Sequence, residues 1–157
     1  MNNLRKRFRD ERGFNLIELM IVIAIIGLLI GVGSYAWQSM MRSGNEAAAA
    51  QTIDKIRVYQ NQYAAKNRGK FANFDELIRS VSLDERFAGE RPVVNGYTYS
   101  MTITEASGNQ PAKFAVNADP QGEGLSATGN RHFYTDSTLS TIKYNDTQPA
   151  SATDPSI

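Results

Sequence analysis

The sequence contains no cysteine and one histidine, His132. Without cysteine there is no disulfide framework, no thiolate metal site and no thiol nucleophile. One histidine rules out multi-histidine zinc sites and leaves a serine triad a single candidate base. An excess of one charge is also missing: 17 Lys+Arg against 16 Asp+Glu leave a net charge of +1, so bulk charge gives no affinity for a polyanion. No Gly-x-Ser-x-Gly elbow occurs, and the Gly122–Gly124 pair lacks the lysine and helix that a phosphate loop needs. The chain reads as a non-enzyme. Its 157 residues suffice for one modest domain plus an appendage and are too few for two independent cores.

What is present is distributed unevenly. From Leu19 to Met41 there is no charged residue, a run of 23 between Glu18 and Arg42. As a helix it would reach roughly 35 Å, enough to cross a hydrocarbon core of about 30 Å. The first 13 residues carry Arg5, Lys6, Arg7, Arg9 and Arg12 against Asp10 and Glu11, a balance of 5 − 2 = +3. Positive flanks stay in the cytoplasm, so the N-terminus is expected inside and the polar remainder outside. A secretory signal peptide is the plainer alternative, with Ser34-Tyr35-Ala36 as its cleavage site. Three features oppose it: Glu18 at the mouth of the run, unbroken helix compatibility beyond it, and Gly13 on the wrong side for signal peptidase.

The residues at that mouth, Gly13-Phe14-Asn15-Leu16-Ile17-Glu18-Leu19, followed by Met20-Ile21-Val22-Ile23-Ala24-Ile25-Ile26-Gly27, resemble the type IV pilin N-terminal motif. That family comprises pilins, the pseudopilins of type II secretion and competence pilins. The resemblance implies a leader of residues 1–13, removed by a prepilin peptidase that cuts between Gly13 and Phe14 and N-methylates Phe14. It also implies a helical homopolymer in which Glu18 of one subunit neutralises the Phe14 amine of its neighbour. The other implied partners are the inner-membrane pilus or secretion assembly platform and, before assembly, membrane lipid. Physics points the same way for Glu18, because a carboxylate inside the membrane costs roughly 2.5–3.5 kcal/mol unless it is paired. Many relatives have a proline where this chain has Tyr35. Here Gly27, Gly31 and Gly33 are the candidates for helix flexibility, each costing about 1 kcal/mol against alanine, and Gly27-x-x-x-Gly31 is a close-packing spacing. Tyr35 and Trp37 suit a membrane interface.

Beyond the run, the pattern stays helical through 46–51, rich in alanine, and then through Ile53, Ile56, Tyr59 and Tyr63, with Gln60 off the apolar face. Gly69 is the expected cap, so the long helix spans 14–68, with 14–41 as its membrane and filament half. Residues 69–145 are expected to form a globular head. Asn73-Phe74-Asp75-Glu76 and Ser82-Leu83-Asp84-Glu85 are capping-box patterns. After the Asn95-Gly96 turn, 97–103 alternates strictly, as does 113–118 through Phe114, Val116 and Ala118. Residues 119–130 read as loop, with further strands at 131–135 and 139–144. A polar tail, 146–157, is expected to be poorly ordered or draped over a surface. Three or four antiparallel strands on the Ile53–Tyr63 face give an α+β fold, which is the pilin plan.

No cofactor is expected. Asp119, Glu123 and Asp136 are weak candidates for Ca²⁺ ligation from a loop, as in some pseudopilins, although their spacing matches no calcium-loop consensus. His132 reads as a structural or surface residue. Arg86, Arg91, Lys113, Arg131 and Lys143 are scattered, so no specific nucleic-acid site is evident. The expected function is a structural pilin of a type IV pilus, anchored by one membrane pass and then carried in an extracellular filament serving adhesion and motility. Two alternatives stay open: a periplasmic pseudopilin of a type II secretion system, and a minor pilin that binds surfaces or DNA.

Overall fold

A computed structural model describes residues 13–122 and 124–157. Its first element is helix α1 (Leu16–Lys66). The chain divides between Gln38 and Ser39 into two compact units. Every described residue of the first unit is exposed, Ile, Leu and Val included.

In the second unit, α1 buries Ala49, Ile53, Ile56 and Gln60. Spacings of four, three and four residues trace one stripe at the helical period. Tyr59 and Tyr63, expected on that stripe, are half-buried at its margin. Gln60 takes the centre because it lies two full turns beyond Ile53. Its burial is possible because its amide is satisfied: Nε2 donates to Ala72 O at 2.6 Å, and Oε1 accepts from Ala72 N–H at 3.0 Å. The helix stops in a Schellman arrangement, with the Gly69 N–H on Ala64 O at 2.9 Å. The left-handed position before it is Arg68 (φ 54°), not the glycine expected there, and Gly69 (φ 78°) follows.

Helix α2 (Phe74–Val81) starts at the expected capping box: Asn73 Oδ1 accepts from Glu76 N–H at 2.9 Å and Glu76 Oε2 from Asn73 N–H at 3.0 Å. The second capping pattern is not used as such. Ser82, left-handed at φ 59°, terminates α2, and Asp84 caps the 3₁₀ turn Glu85–Phe87 instead.

Five strands follow: β1 (Val93–Val94), β2 (Tyr97–Thr104), β3 (Lys113–Pro120), β4 (His132–Asp136) and β5 (Lys143–Asn145). They form one antiparallel meander in the order β1-β2-β3-β4-β5. Asn95 and Gly96, both with positive φ, make the β1–β2 turn. Alternation sends Tyr97, Tyr99, Phe114, Val116, Ala118, Phe133 and Thr135 inward, and all but Thr135 join Ala49, Ile53 and Ile56 of α1, Phe74, Leu77 and Phe87 in one core. Fully burying each large apolar side chain contributes about 1.5–3 kcal/mol. Phe87 meets Tyr99 edge-on at 5.1 Å between ring centres, and Phe71 meets Phe114 at 4.8 Å.

The α+β class stands, with some differences. There are five strands rather than three or four, since β1 is too short to alternate. Strand β3 continues through Asp119 and Pro120, both expected in a loop, and a 3₁₀ turn, Gly124–Ser126, lies between β3 and β4. The strand expected at 139–144 is confined to Lys143–Asn145. The tail is draped and tied down. Tyr144 N–H donates to Pro155 O at 2.9 Å and Ile157 N–H to Ile142 O at 3.0 Å, which covers the open edge of β5. Ala150 is buried, and its carbonyl accepts from Asn117 Nδ2 at 2.9 Å. The Asp154 carboxylate closes the segment, accepting from Ser151 N–H, Ser151 Oγ and Asn145 Nδ2. Those bonds, the Ser151 amide first, hold its pKa below the usual carboxylate range.

Candidate functional site

The cleavage and assembly candidates sit where α1 begins. Gly13, Phe14 and Asn15 precede the helix, and Phe14 is 89% exposed. Asn15 is the helix cap, its Oδ1 accepting from Ile17 N–H at 3.2 Å. Glu18 Oε2 in turn accepts from Asn15 N–H at 3.2 Å. Glu18 therefore helps to cap the helix four residues from Phe14, with Asn15 Oδ1 on the amide of Ile17 rather than on that of Glu18, as a full capping box would have it. The Asn15-x-x-Glu18 pattern was readable from sequence as a helix start, a role absent from the motif reading of Glu18.

From Leu19 to Met41 the helix presents uncharged side chains, all exposed. Gly27, Gly31 and Gly33 lie on it, and a Cβ built at any of the three meets nothing within 4 Å. Among the described residues, these glycines therefore serve no packing need. Ser34 Oγ donates back to Ile30 O at 2.8 Å, a bond that weakens and bends helices. By length and composition α1 can cross a membrane.

Of the metal candidates, Asp119 and Asp136 lie among the described residues, and each is engaged elsewhere. Asp119 Oδ1 lies 2.6 Å from His132 Nδ1, joining β3 to β4. Asp136 accepts from Thr138 N–H at 2.7 Å, Thr138 Oγ1 at 2.6 Å and Tyr134 Oη at 2.9 Å. Burial alone would raise the Asp136 pKa, but the Thr138, Tyr134 and Leu139 hydrogen bonds outweigh it and hold it low. Glu123 lies outside the described residues. Among the described residues no three His, Asp or Glu side chains gather as a metal site would require.

Several of the scattered cations have partners within the head. Arg86 pairs with Asp84 at 2.9 Å. Arg131 lies 3.4 Å from Asp146 and 5.0 Å over the Tyr144 ring, and Lys143 Nζ donates to Ser156 Oγ at 3.0 Å.

Residues 8–34 match the family model described as the prokaryotic N-terminal methylation motif. Over 129 residues the chain is 33% identical to the type IV major pilin protein PilE of Neisseria gonorrhoeae, covering 77% of this chain and 68% of PilE. It is 31% identical to a fimbrial protein of Neisseria meningitidis serogroup A, covering 77% and 67%. Over a shorter span of 65 residues it is 35% identical to the type IV major fimbrial protein FimA of Dichelobacter nodosus, 40% of this chain and 41% of FimA. No solved structure matches the chain at comparable significance. A third of the aligned positions are shared with PilE over more than two thirds of both proteins, and this chain belongs to the type IV pilin family.

Proposed function

We propose that this chain is the precursor of a major pilus subunit, cut between Gly13 and Phe14, methylated at Phe14 and polymerised through the first half of α1. The observation that carries the reading is a charge-free helical surface, exposed along its whole length, that begins at a carboxylate beside the cleavage motif. Such a surface needs cover. Lipid covers it while the subunit waits in the inner membrane, with the N-terminus cytoplasmic as the basic leader dictates. Neighbouring helices cover it in the filament.

Cleavage creates an ammonium at Phe14. In the filament, Glu18 of one subunit meets that amine on the next, and this pairing removes the cost of two charges in an apolar bundle. Similarity to major pilins and a fimbrial protein supports the extracellular filament over the periplasmic pseudopilus. It also supports a major filament subunit over a specialised binding subunit.

The test is mass spectrometry of filaments sheared from cells, compared with the washed envelope. An abundant peptide beginning at methylated Phe14 in the sheared fraction is the expected result. The same peptide confined to the envelope would overturn the extracellular filament in favour of a pseudopilus. A chain beginning near Trp37 would mean signal-peptidase cleavage and end the pilin-type maturation.

A further inference from the structure

On the face of the sheet turned away from the core, one row runs Thr102, Ala115, Asp136 across β2, β3 and β4. Its middle member is the smallest, and along β3 it is flanked on the same face by Lys113 and Asn117. Lys113 stands opposite Thr104, and Asn117 opposite Tyr134. A methyl group among longer side chains leaves a hollow. It is a cavity of about 260 Å³, floored by Ala115, with Tyr134 and Thr138 on its β4 side.

The walls are fixed by bonds within the head. Tyr134 Oη donates to Asp136 Oδ2 at 2.9 Å, which holds the ring. Thr138 N–H and Oγ1 donate to Asp136 Oδ1, and Ser137 N–H donates to Phe114 O at 3.0 Å, tying the turn after β4 to β3. Asp136 Oδ2 keeps one acceptor position open. The Thr102 and Thr104 hydroxyls and the Lys113 ammonium have no hydrogen-bond partner among the described residues.

These groups define the chemistry of a ligand. One cation and one anion face the hollow, so an ion of either sign meets a like charge as well as an opposite one. An ammonium that only donates, a carboxylate that only accepts and hydroxyls that do both match a molecule rich in hydroxyls. The aromatic wall offers its negative face to weakly positive C–H groups. The volume falls below the roughly 300–1,000 Å³ of sites for drug-sized ligands and suits a single six-membered ring.

We infer that the outer face of the sheet carries a binding site for one neutral hexopyranose unit, floored by Ala115, walled by Tyr134 and held through Thr102, Lys113 and Asp136. The site is complete in one chain and stands whether or not the chain polymerises.

The test is a titration of the isotope-labelled full chain, in phosphocholine micelles free of sugar detergents, with the methyl glycosides of glucose, galactose and mannose. Backbone amide chemical shifts are the readout. At least one sugar should give saturable shifts at Thr102, Ala115 and residues 134–138, with a dissociation constant of about 1 mM. Ala115→Leu fills the hollow from the solvent side and should raise that constant about tenfold or more, while the inward-facing Tyr99 and Ala118 keep their wild-type shifts. If Ala115→Leu disturbs those two, Thr102→Val, which keeps the volume and removes one hydroxyl, should still weaken binding about threefold. No saturable shift at these residues with any of the three sugars would overturn the site. So would wild-type affinity in an intact Ala115→Leu or in Thr102→Val. Methyl glucuronide binding about tenfold tighter than the neutral sugars would overturn it too, by making Lys113 the centre of an anion site.

Discussion

Gln60 is the polar residue on which the head's packing depends most directly. It is fully buried, and its amide forms two hydrogen bonds with the backbone of Ala72, also fully buried, while Nε2 also lies 3.0 Å from Met101 Sδ. Replacing it with leucine keeps most of the volume but strands the Ala72 N–H and C=O in the core. Each orphaned group costs about 1–3 kcal/mol, so Gln60→Leu should destabilise by roughly 2–5 kcal/mol. Against a total of about 5–15 kcal/mol, that is a large share. Gln60→Glu is sharper still, because its carboxylate can accept from Ala72 N–H but opposes Ala72 O with a second oxygen. It should therefore recover stability as acid protonates it. Urea unfolding of the full chain in micelles, followed by tyrosine fluorescence, gives the difference. A loss below about 1 kcal/mol for Gln60→Leu would refute the paired-amide argument.

At Gly129 a Cβ would stand 2.1 Å from the Tyr97 hydroxyl oxygen and 2.8 Å from its Cζ. Gly129→Ala should therefore displace that ring and cost about 1–3 kcal/mol; an unchanged melting temperature would contradict the contact. Burial pushes the Tyr99 hydroxyl up to about 12, with the Thr52 side chain opposing. Because the folded value lies above the unfolded one of about 10, this tyrosine's contribution is complete below pH 10 and is lost between about pH 10 and 12. Tyr99→Phe should shift the alkaline unfolding midpoint upward, as read by circular dichroism, and an unmoved midpoint would refute that origin. Gly13→Val should leave full-length precursor in the membrane fraction, and mature-length protein from that variant would contradict cleavage after Gly13. Glu18→Gln keeps an oxygen for the Asn15 N–H but no charge, so it should insert normally and lower sheared filament yield about as far as Glu18→Ala. A normal yield from Glu18→Gln would mean that the carboxylate acts only as a cap.

How much of this was legible depended on whether side-chain chemistry and position agreed. They agree in the apolar run, in the Asn73–Glu76 capping box and in the alternation of β2 and β3, and there the expected elements are found. They conflict at Gln60, whose polarity argued for solvent while its spacing of seven from Ile53 argued for the core. Position wins because a backbone amide partner is available twelve residues on. Ser82 carries a capping signature, but α2 needs a left-handed residue at that place and takes it. The tail has the composition of disorder. Its order comes from long-range partners, Ile142, Tyr144 and Asn117, that no local window contains. At the candidate site, Gly13, Phe14 and Glu18 were readable as a motif. The bonds from α1 to the loop after β3 span more than 80 positions and left no sequence signal.

The two ends of Glu18's proposed life differ in the partner its carboxylate has. In the single chain its carboxylate accepts one amide hydrogen at 3.2 Å, the long limit for such a bond. A neighbour's Phe14 ammonium offers a charge-assisted bond roughly twice as strong, in surroundings where an unpaired ion is costly. Were Glu18 to turn to a neighbour, the Asn15 oxygen on Ile17 N–H would still hold the helix start. On the proposed reading, a subunit would release its carboxylate to a neighbour without unwinding the first turn. In this reading, Asn15 allows Glu18 to serve in the membrane and in the filament.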